Sequence, residues 1–357
     1  MSTDDILKVD GSFGEGGGAI LRLGVGLSVL YNRPIEITNI RANRPTPGLR
    51  LQHLLGLKTI TELTNSTLSE CKVGTEQLTF IPNPKREFNS YFHLNISTAA
   101  SIGLLLQPIQ LACFAKNKLG EIKISLSGGG TFGKWAPSLN YLQEVTYNIF
   151  KISGLNIEID IQKHGFYPKG GAQVICTINP PKTKLKPINL KELGNLELIQ
   201  GEIIIANQLR RPRDNIVTRI RKSIQQHIRR TVKIETEIKY KWVDSTSPGV
   251  GLSLWAHSDT GAIISTGTIL GEKKISSERL GKLAADELIK YIRNEIPVDN
   301  YLSDQLIPLM AYSKNSSCIR VHQITNHTKT NLELVNLFSQ REYHITREKK
   351  SFIIEYK

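Results

Sequence analysis

Apolar and polar positions alternate through residues 6–9, give way to a run of glycines, and then recur at helical spacing through residues 19–31. Side chains alternate across a strand with period two and share a helix face with a period near 3.6. The pattern therefore predicts a strand, a glycine loop and a helix, followed by a β-branched strand at 35–40. Similar units recur. A strand at 121–126, a glycine-led loop at 128–137 and a helix at 138–150 form one, and a helix at 331–338 with short strands after it closes the chain. Repeated strand, loop and helix predict an α/β (α+β) domain made of several copies of one motif, each sheet covered on one side.

A stretch rich in proline and lysine at 180–187 reads as a linker. Beyond it lie a strand at 198–205, a helix at 216–228, strands at 234–242, 251–256 and 262–270, and a helix at 277–293. Four strands and two helices suffice for a separate α+β unit. The expected organisation is a repeated-unit domain over 1–185 and 294–357 with an inserted domain at 186–293. Two domains also suit 357 residues, because single cores stop growing near ~250–300 residues.

The net charge of +14 favours a polyanionic partner. Residues 209–241 carry eleven basic residues against three acidic ones, so the insert holds much of the surplus, either as a solvated face or as a nucleic-acid contact. The four cysteines lie far apart with no Cys-x-x-Cys pair, which argues against a zinc site or a disulfide framework. The N-terminal residues lack the basic and apolar regions of a signal peptide. The apolar stretch 96–115 is interrupted by Gln107, Pro108 and Gln110, so it reads as a buried helix. A cytoplasmic protein without a membrane partner is expected.

Residues 10–18, with Gly14, Gly16 and Gly17, join a strand to a helix, where bare N–H groups can bind an anion. No Gly-Lys-Ser/Thr follows, so this is not a Walker A loop. Gly14, Gly16 and Ala19 fit G-x-G-x-x-A, and Glu36 stands where a dinucleotide fold has its ribose-binding acid. Against that reading, Glu15 would repel a bare phosphate, which favours a metal–nucleotide complex unless the carboxylate is simply solvated. Arg22, one turn into the apolar helix, either reaches back to the loop's ligand or runs out to solvent. Residues 40–53 place Arg41, Arg44 and Arg50 in a loop stiffened by Pro45 and Pro47, either a phosphate clamp or an exposed basic loop. Thr330 and Glu333 form a capping-box pattern, which sets His327 just before a helix N-terminus. There the imidazolium is disfavoured and a neutral ring nitrogen is available as a nucleophile, although a structural histidine is the commoner case and seven other histidines compete.

Taken together, DGSFGEGGGAILRL, IRANRPTPGLRLQH, SGGGTFGKWAP, HGFYPKGG, YLSDQLIPLMA and NHTKTNLELV resemble the RNA 3′-terminal phosphate cyclases over nearly the whole chain. The resemblance implies a large domain of three repeated units, each two helices on a four-stranded sheet, with a smaller thioredoxin-like insert. It implies an enzyme that uses ATP and a divalent metal (Mg or Mn) to turn an RNA 3′-terminal phosphate into a 2′,3′-cyclic phosphate. The steps are a covalent histidine–AMP adduct, transfer of AMP to the RNA 3′-phosphate, and attack by the 2′-hydroxyl. His327 is then similar to the adenylated nucleophile and Asp304 to the carboxylate that orients it. Glu15 resembles the metal ligand, and Arg22 and Arg41 the phosphate-binding arginines. Tyr301, Gln305 and Gln107 resemble adenosine contacts, and Gln52 matches a site position near the arginine loop. Ala19, Ala172 and Asn140 depart from the family pattern at non-catalytic positions. The main rival is a non-catalytic cyclase-like RNA-binding protein of ribosome biogenesis, which lacks the nucleophile. An enolpyruvyl-transferase-like enzyme and a dinucleotide oxidoreductase are weaker alternatives.

Overall fold

The structure is a computed structural model that describes residues 6–85, 87–114, 120–211, 215–313 and 315–357. Arg213 of the basic run and Ala115 of the apolar stretch lie outside the described residues. Three four-stranded sheets carry the large domain. The first orders its strands Leu7–Asp10, Ile35–Thr38, Leu78–Ile81 and Thr67–Leu68, with helices Gly18–Tyr31 and Leu51–Leu63. The second orders Tyr91–Ser101, Ile122–Gly130, Gln173–Asn179 and Asn156–Lys163, with helix Ile102–Ala112 and the helical run Leu139–Tyr141, Leu142–Thr146 and Tyr147–Ser153. The third orders Tyr343–Arg347, Phe352–Tyr356, Ser317–Val321 and Asn189–Leu190, with helices Asn300–Tyr312 and Asn326–Ser339. The repeat expected from the pattern is present.

The core sits where the helices of different units meet. Helix Gly18–Tyr31 is buried along most of its length because it packs against Ile102–Ala112 on one side and Asn326–Ser339 on the other. Gly26 permits the first approach, since a Cβ there would lie 2.9 Å from the Pro108 carbonyl oxygen. At the other contact, the Tyr31 ring meets Tyr312 edge-on at 5.7 Å and Phe338 at 6.2 Å. Asn32 closes the helix in the left-handed conformation.

The insert orders its strands Thr236–Val243, Leu196–Ala206, Val250–Ser258 and Ile263–Ser265, with Ile269–Leu270 also on Val250–Ser258. Helices Ile216–Arg229 and Ser277–Arg293 pack together with Gly281 at their contact, where a Cβ would lie 2.5 Å from the Ile220 carbonyl oxygen. Two sequence expectations change here. The strand expected at 262–270 is two short strands, because Gly267 turns the chain with φ +65°. After the linker the chain first lays Asn189–Leu190 parallel to Cys318–Ile319 in the third sheet, so the insert's own sheet begins at Leu196. No described helix is long and apolar enough to cross a membrane.

Asp299 joins these parts. Its carboxylate caps helix Asn300–Tyr312 by accepting from the Tyr301 and Leu302 N–H groups at 3.0 and 2.9 Å. It also accepts from the Tyr141 hydroxyl at 3.1 Å and from the Ser265 N–H of the insert at 3.1 Å. Burial drives its pKa up to about 7, against the pull of those four hydrogen bonds. A carboxyl whose folded pKa is raised costs nothing below its unfolded value near 3.8, and the cost is complete above about 7. Stability should therefore fall as the pH rises from about 4 to 7. In Asp299→Asn, denaturant titrations across that window should show a shallower fall than in the native protein; an unchanged slope would remove Asp299 as its source.

Candidate active site

The loop between Leu7–Asp10 and Gly18–Tyr31 starts at Asp10, whose carboxylate accepts from the Ser12 N–H at 2.9 Å and the Asn39 amide at 3.1 Å. These bonds, the Ser12 N–H foremost, hold its pKa below the usual carboxylate range. Gly14 and Gly16 then take φ values of +58° and +54°. Neither could carry a side chain. A Cβ at Gly14 would lie 2.1 Å from Thr330 Oγ1, and one at Gly16 2.5 Å from Asn43 Nδ2. The loop is thus clamped between helix Asn326–Ser339 and the arginine loop, whose Asn43 amide donates to the Ser12 carbonyl at 2.8 Å.

Gly17 caps the helix that follows without a side-chain hydrogen bond, and no acidic residue stands in its first turn. Among the described residues the first N–H groups have no side-chain cap, and they carry the positive end of the helix dipole. Arg22 lies beside them. Its Nε donates to Gln107 Oε1 at 3.0 Å, and among the described residues it has no carboxylate partner. Burial pulls its pKa down to about 10, so the guanidinium stays charged at neutral pH. His53 is its neighbour. The His53 Nδ1 accepts from the Arg50 N–H at 3.2 Å, and its Nε2 stands 2.3 Å from where a Gly18 Cβ would be. Burial, then the charges of Arg22, Arg41 and Arg50, pull its pKa down to about 3, so this ring is neutral. Gln52 lies behind, lining a recess with Arg22 and His53.

Arg41, with φ +57°, donates from Nη1 to the carbonyls of Thr46 and Gly48 at 2.7 and 2.9 Å. It braces its own loop while still lining the cleft. Burial, Arg50 and Arg44 depress its pKa.

Helix Asn326–Ser339 starts earlier than the capping-box pattern at Thr330 and Glu333 indicates. Thr325 is the N-cap, accepting from the Thr328 N–H at 3.0 Å, while Thr330 turns its hydroxyl back to the Asn326 carbonyl at 2.8 Å. Both threonines can cap a helix in principle, and Thr325 wins because Thr328 can bond its hydroxyl at 2.8 Å and reach Asp304 as well. His327 therefore lies within the first turn. Its Nε2 is 3.0 Å from Glu15 Oε2, and Arg44 Nη2 approaches the same oxygen at 3.7 Å. The imidazole is half exposed, with 51% of its side chain accessible.

Asp304 stands behind this turn. It accepts from the Thr328 hydroxyl at 3.0 Å, so its link to His327 runs through the helix's first turn and not through the ring. Burial raises its pKa to about 7, and the charges of Glu15 and Asp299 add to the rise. Gln305, on the same helix, accepts from the buried Gln110 amide at 2.8 Å.

Glu15, Gly16, Gly17, Arg22, Arg41, Arg44, His53 and His327 line one cleft of about 510 Å³. Lys134 and Trp135 form its outer wall and are shared with a second recess of about 260 Å³, lined by Tyr141 and Tyr301. Trp135 is 91% exposed, with φ +59°. Tyr301 is half exposed and meets the Tyr141 ring edge-on at 6.3 Å. The structure thus gathers Glu15, Arg22, Arg41 and His327 at one cleft and sets Tyr301 in the adjoining recess. Gln107 holds Arg22, Gln305 points toward Gln110, and Gly14 serves the loop's contact with Thr330. Sequence reasoning missed His53 and Trp135 as site residues. The spacing of His53 three residues after Arg50 was the available signal for the first; for the second there was only its place in a glycine-led loop. Among the described residues, no group of three or more His, Cys, Asp or Glu is arranged to hold a metal ion.

A family model described as RNA 3′-terminal phosphate cyclase matches residues 13–345. Proteins named RNA 3′-terminal phosphate cyclase from Thermococcus gammatolerans and Pyrococcus abyssi are each 36% identical, over 96% of this chain and 95% and 96% of their own. One of the same name from Methanopyrus kandleri is 34% identical over 93% of each chain. Because the match extends from the glycine loop past the helix of His327, the chain belongs to the RNA 3′-terminal phosphate cyclase family.

Proposed function

We propose that the protein is an ATP-dependent enzyme that closes an RNA 3′-terminal phosphate into a 2′,3′-cyclic phosphate. The observation that carries this reading is the meeting of His327, Glu15 and the unneutralised Arg22 at one cleft. Arg22 and the first N–H groups of Gly18–Tyr31 supply the positive field that a triphosphate requires. A divalent ion, magnesium or manganese, bound by the Glu15 carboxylate together with phosphate oxygens would supply further charge neutralisation. One carboxylate suits an ion that keeps its remaining ligands as water and phosphate.

The chemistry then follows from which nitrogen faces the cleft. His327 Nε2 attacks the α-phosphorus of ATP, an N–P bond forms, and pyrophosphate leaves with the α–β bridging oxygen. That nitrogen needs its lone pair, so the ring proton lies on Nδ1 during attack and Glu15 no longer accepts from Nε2. An oxygen of the RNA 3′-phosphate next displaces His327 from phosphorus, giving RNA(3′)pp(5′)A. The vicinal 2′-hydroxyl finally attacks the 3′-phosphorus and AMP leaves. Asp304 acts at a remove, fixing the first turn through Thr328 and so the position of the ring. Tyr301 and Trp135 offer ring faces for the adenine at the recess beside the cleft. A non-catalytic RNA-binding role would need none of this apparatus.

Incubation with ATP labelled at the α-phosphate and with magnesium or manganese should leave acid-labile, alkali-stable label on the protein. His327→Ala should reduce it to background, and equal labelling of that variant would show that another residue is the nucleophile. Tyr301→Ala should weaken ATP binding on the order of tenfold, the loss of about one aromatic stacking contact. Unchanged affinity in that variant would place the adenine elsewhere.

A further inference from the structure

A second cleft, of about 730 Å³, lies between the edge strand Asn156–Lys163, the π-helical turn Leu142–Thr146 and the insert. It is larger than the His327 cleft and shares no residue with it. Its charge runs against that of the chain. In a protein with a formal surplus of +14, this cleft sets Glu144, Asp160, Glu202 and Asp244 against Lys163 and Lys241. An RNA backbone would be repelled there.

One buried side chain on its wall has hydrogen-bonding capacity left over toward the cleft. His164 is only 6% exposed, and its Nδ1 stands 3.0 Å from Thr131 Oγ1, whose hydroxyl donates to the Gly165 carbonyl at 3.3 Å. The proton then lies on Nδ1. Nε2 is left with a lone pair and no partner among the described residues. Burial pulls the pKa of the ring down to about 4, so it is neutral under ordinary conditions. Asn140, 8% exposed, donates its amide to Glu202 and so holds that carboxylate at the wall, while its own Oδ1 is closed off from the cleft. Buried polar atoms normally find partners, and a π-helical turn often marks a functional site. What is missing at this cleft is donors.

The missing donors belong to an organic cation and not to a metal, because no described group of three His, Cys, Asp or Glu is arranged for one. The same wall also carries Ile159, Ile161 and Val243, which suit methylene groups between the charges. We propose that this cleft binds a linear aliphatic polyamine, with ammonium groups on Glu202, Glu144 and the free acceptor of His164, and its methylenes on the apolar strip.

Isothermal titration of the full-length protein with spermidine in 0.15 M NaCl tests the proposal. One saturable site is expected, not displaced by magnesium at equal charge concentration. Glu144→Gln and Glu202→Gln should each weaken it at least fivefold. Glu202 also bonds Lys241 at 2.9 Å and Asn140, so Glu144→Gln serves as the variant that leaves those contacts intact. Absence of saturable binding, displacement by magnesium, or native affinity in Glu144→Gln would each overturn the assignment.

Discussion

A half-buried guanidinium without a carboxylate partner among the described residues is costly, and the way Arg22 is held explains much of what surrounds it. Among the described residues its side-chain partner is the neutral Gln107, itself buried in helix Ile102–Ala112 of the second unit. The neighbouring His53 is kept neutral, and the nearby N–H groups at the start of Gly18–Tyr31 add positive potential. Among the described residues no carboxylate is paired with it. A site built in this way is complete only when an anion enters it, and the free protein holds that potential ready without reorganisation.

The second constraint is that residues near the two ends of the chain must meet. Gly14 touches Thr330, and Glu15 holds His327, because the helix of the first unit lies between those of the second and the third. The repeated architecture therefore does more than make a core. It brings the glycine loop of the first unit against the N-terminus of a helix in the third, and residues of both line one cleft. Asp299 at its cap and the half-buried Asp304 within it tie helix Asn300–Tyr312 to the insert and to the His327 turn respectively.

Much of this was legible in the sequence, for identifiable reasons. Gly14 and Gly16 occupy left-handed backbone positions, so the loop announces itself as glycine. The period of the apolar residues gave the helices, since each buries a broad face. The start of the His327 helix was misread because Thr325 and Thr330 are both chemically fit to cap, and the choice depends on Thr328 and Asp304, which only the folded chain brings together. The pair Asn189–Leu190 is too short for any periodicity and exists only because Cys318–Ile319 is there to receive it. The role of His53 depends on how closely Gly18 approaches its ring, which spacing along the chain does not encode.

The claim on which the account rests is that Arg22 is charged, unpaired and waiting for phosphate. Titration of ATP into Arg22→Met, alongside thermal unfolding of the same variant, addresses it most directly. The account predicts binding weakened more than tenfold with stability kept or increased, because an uncompensated charge has been replaced by an apolar chain of similar length. Native affinity for ATP combined with a marked loss of stability would contradict it, and would make Arg22 a structural residue.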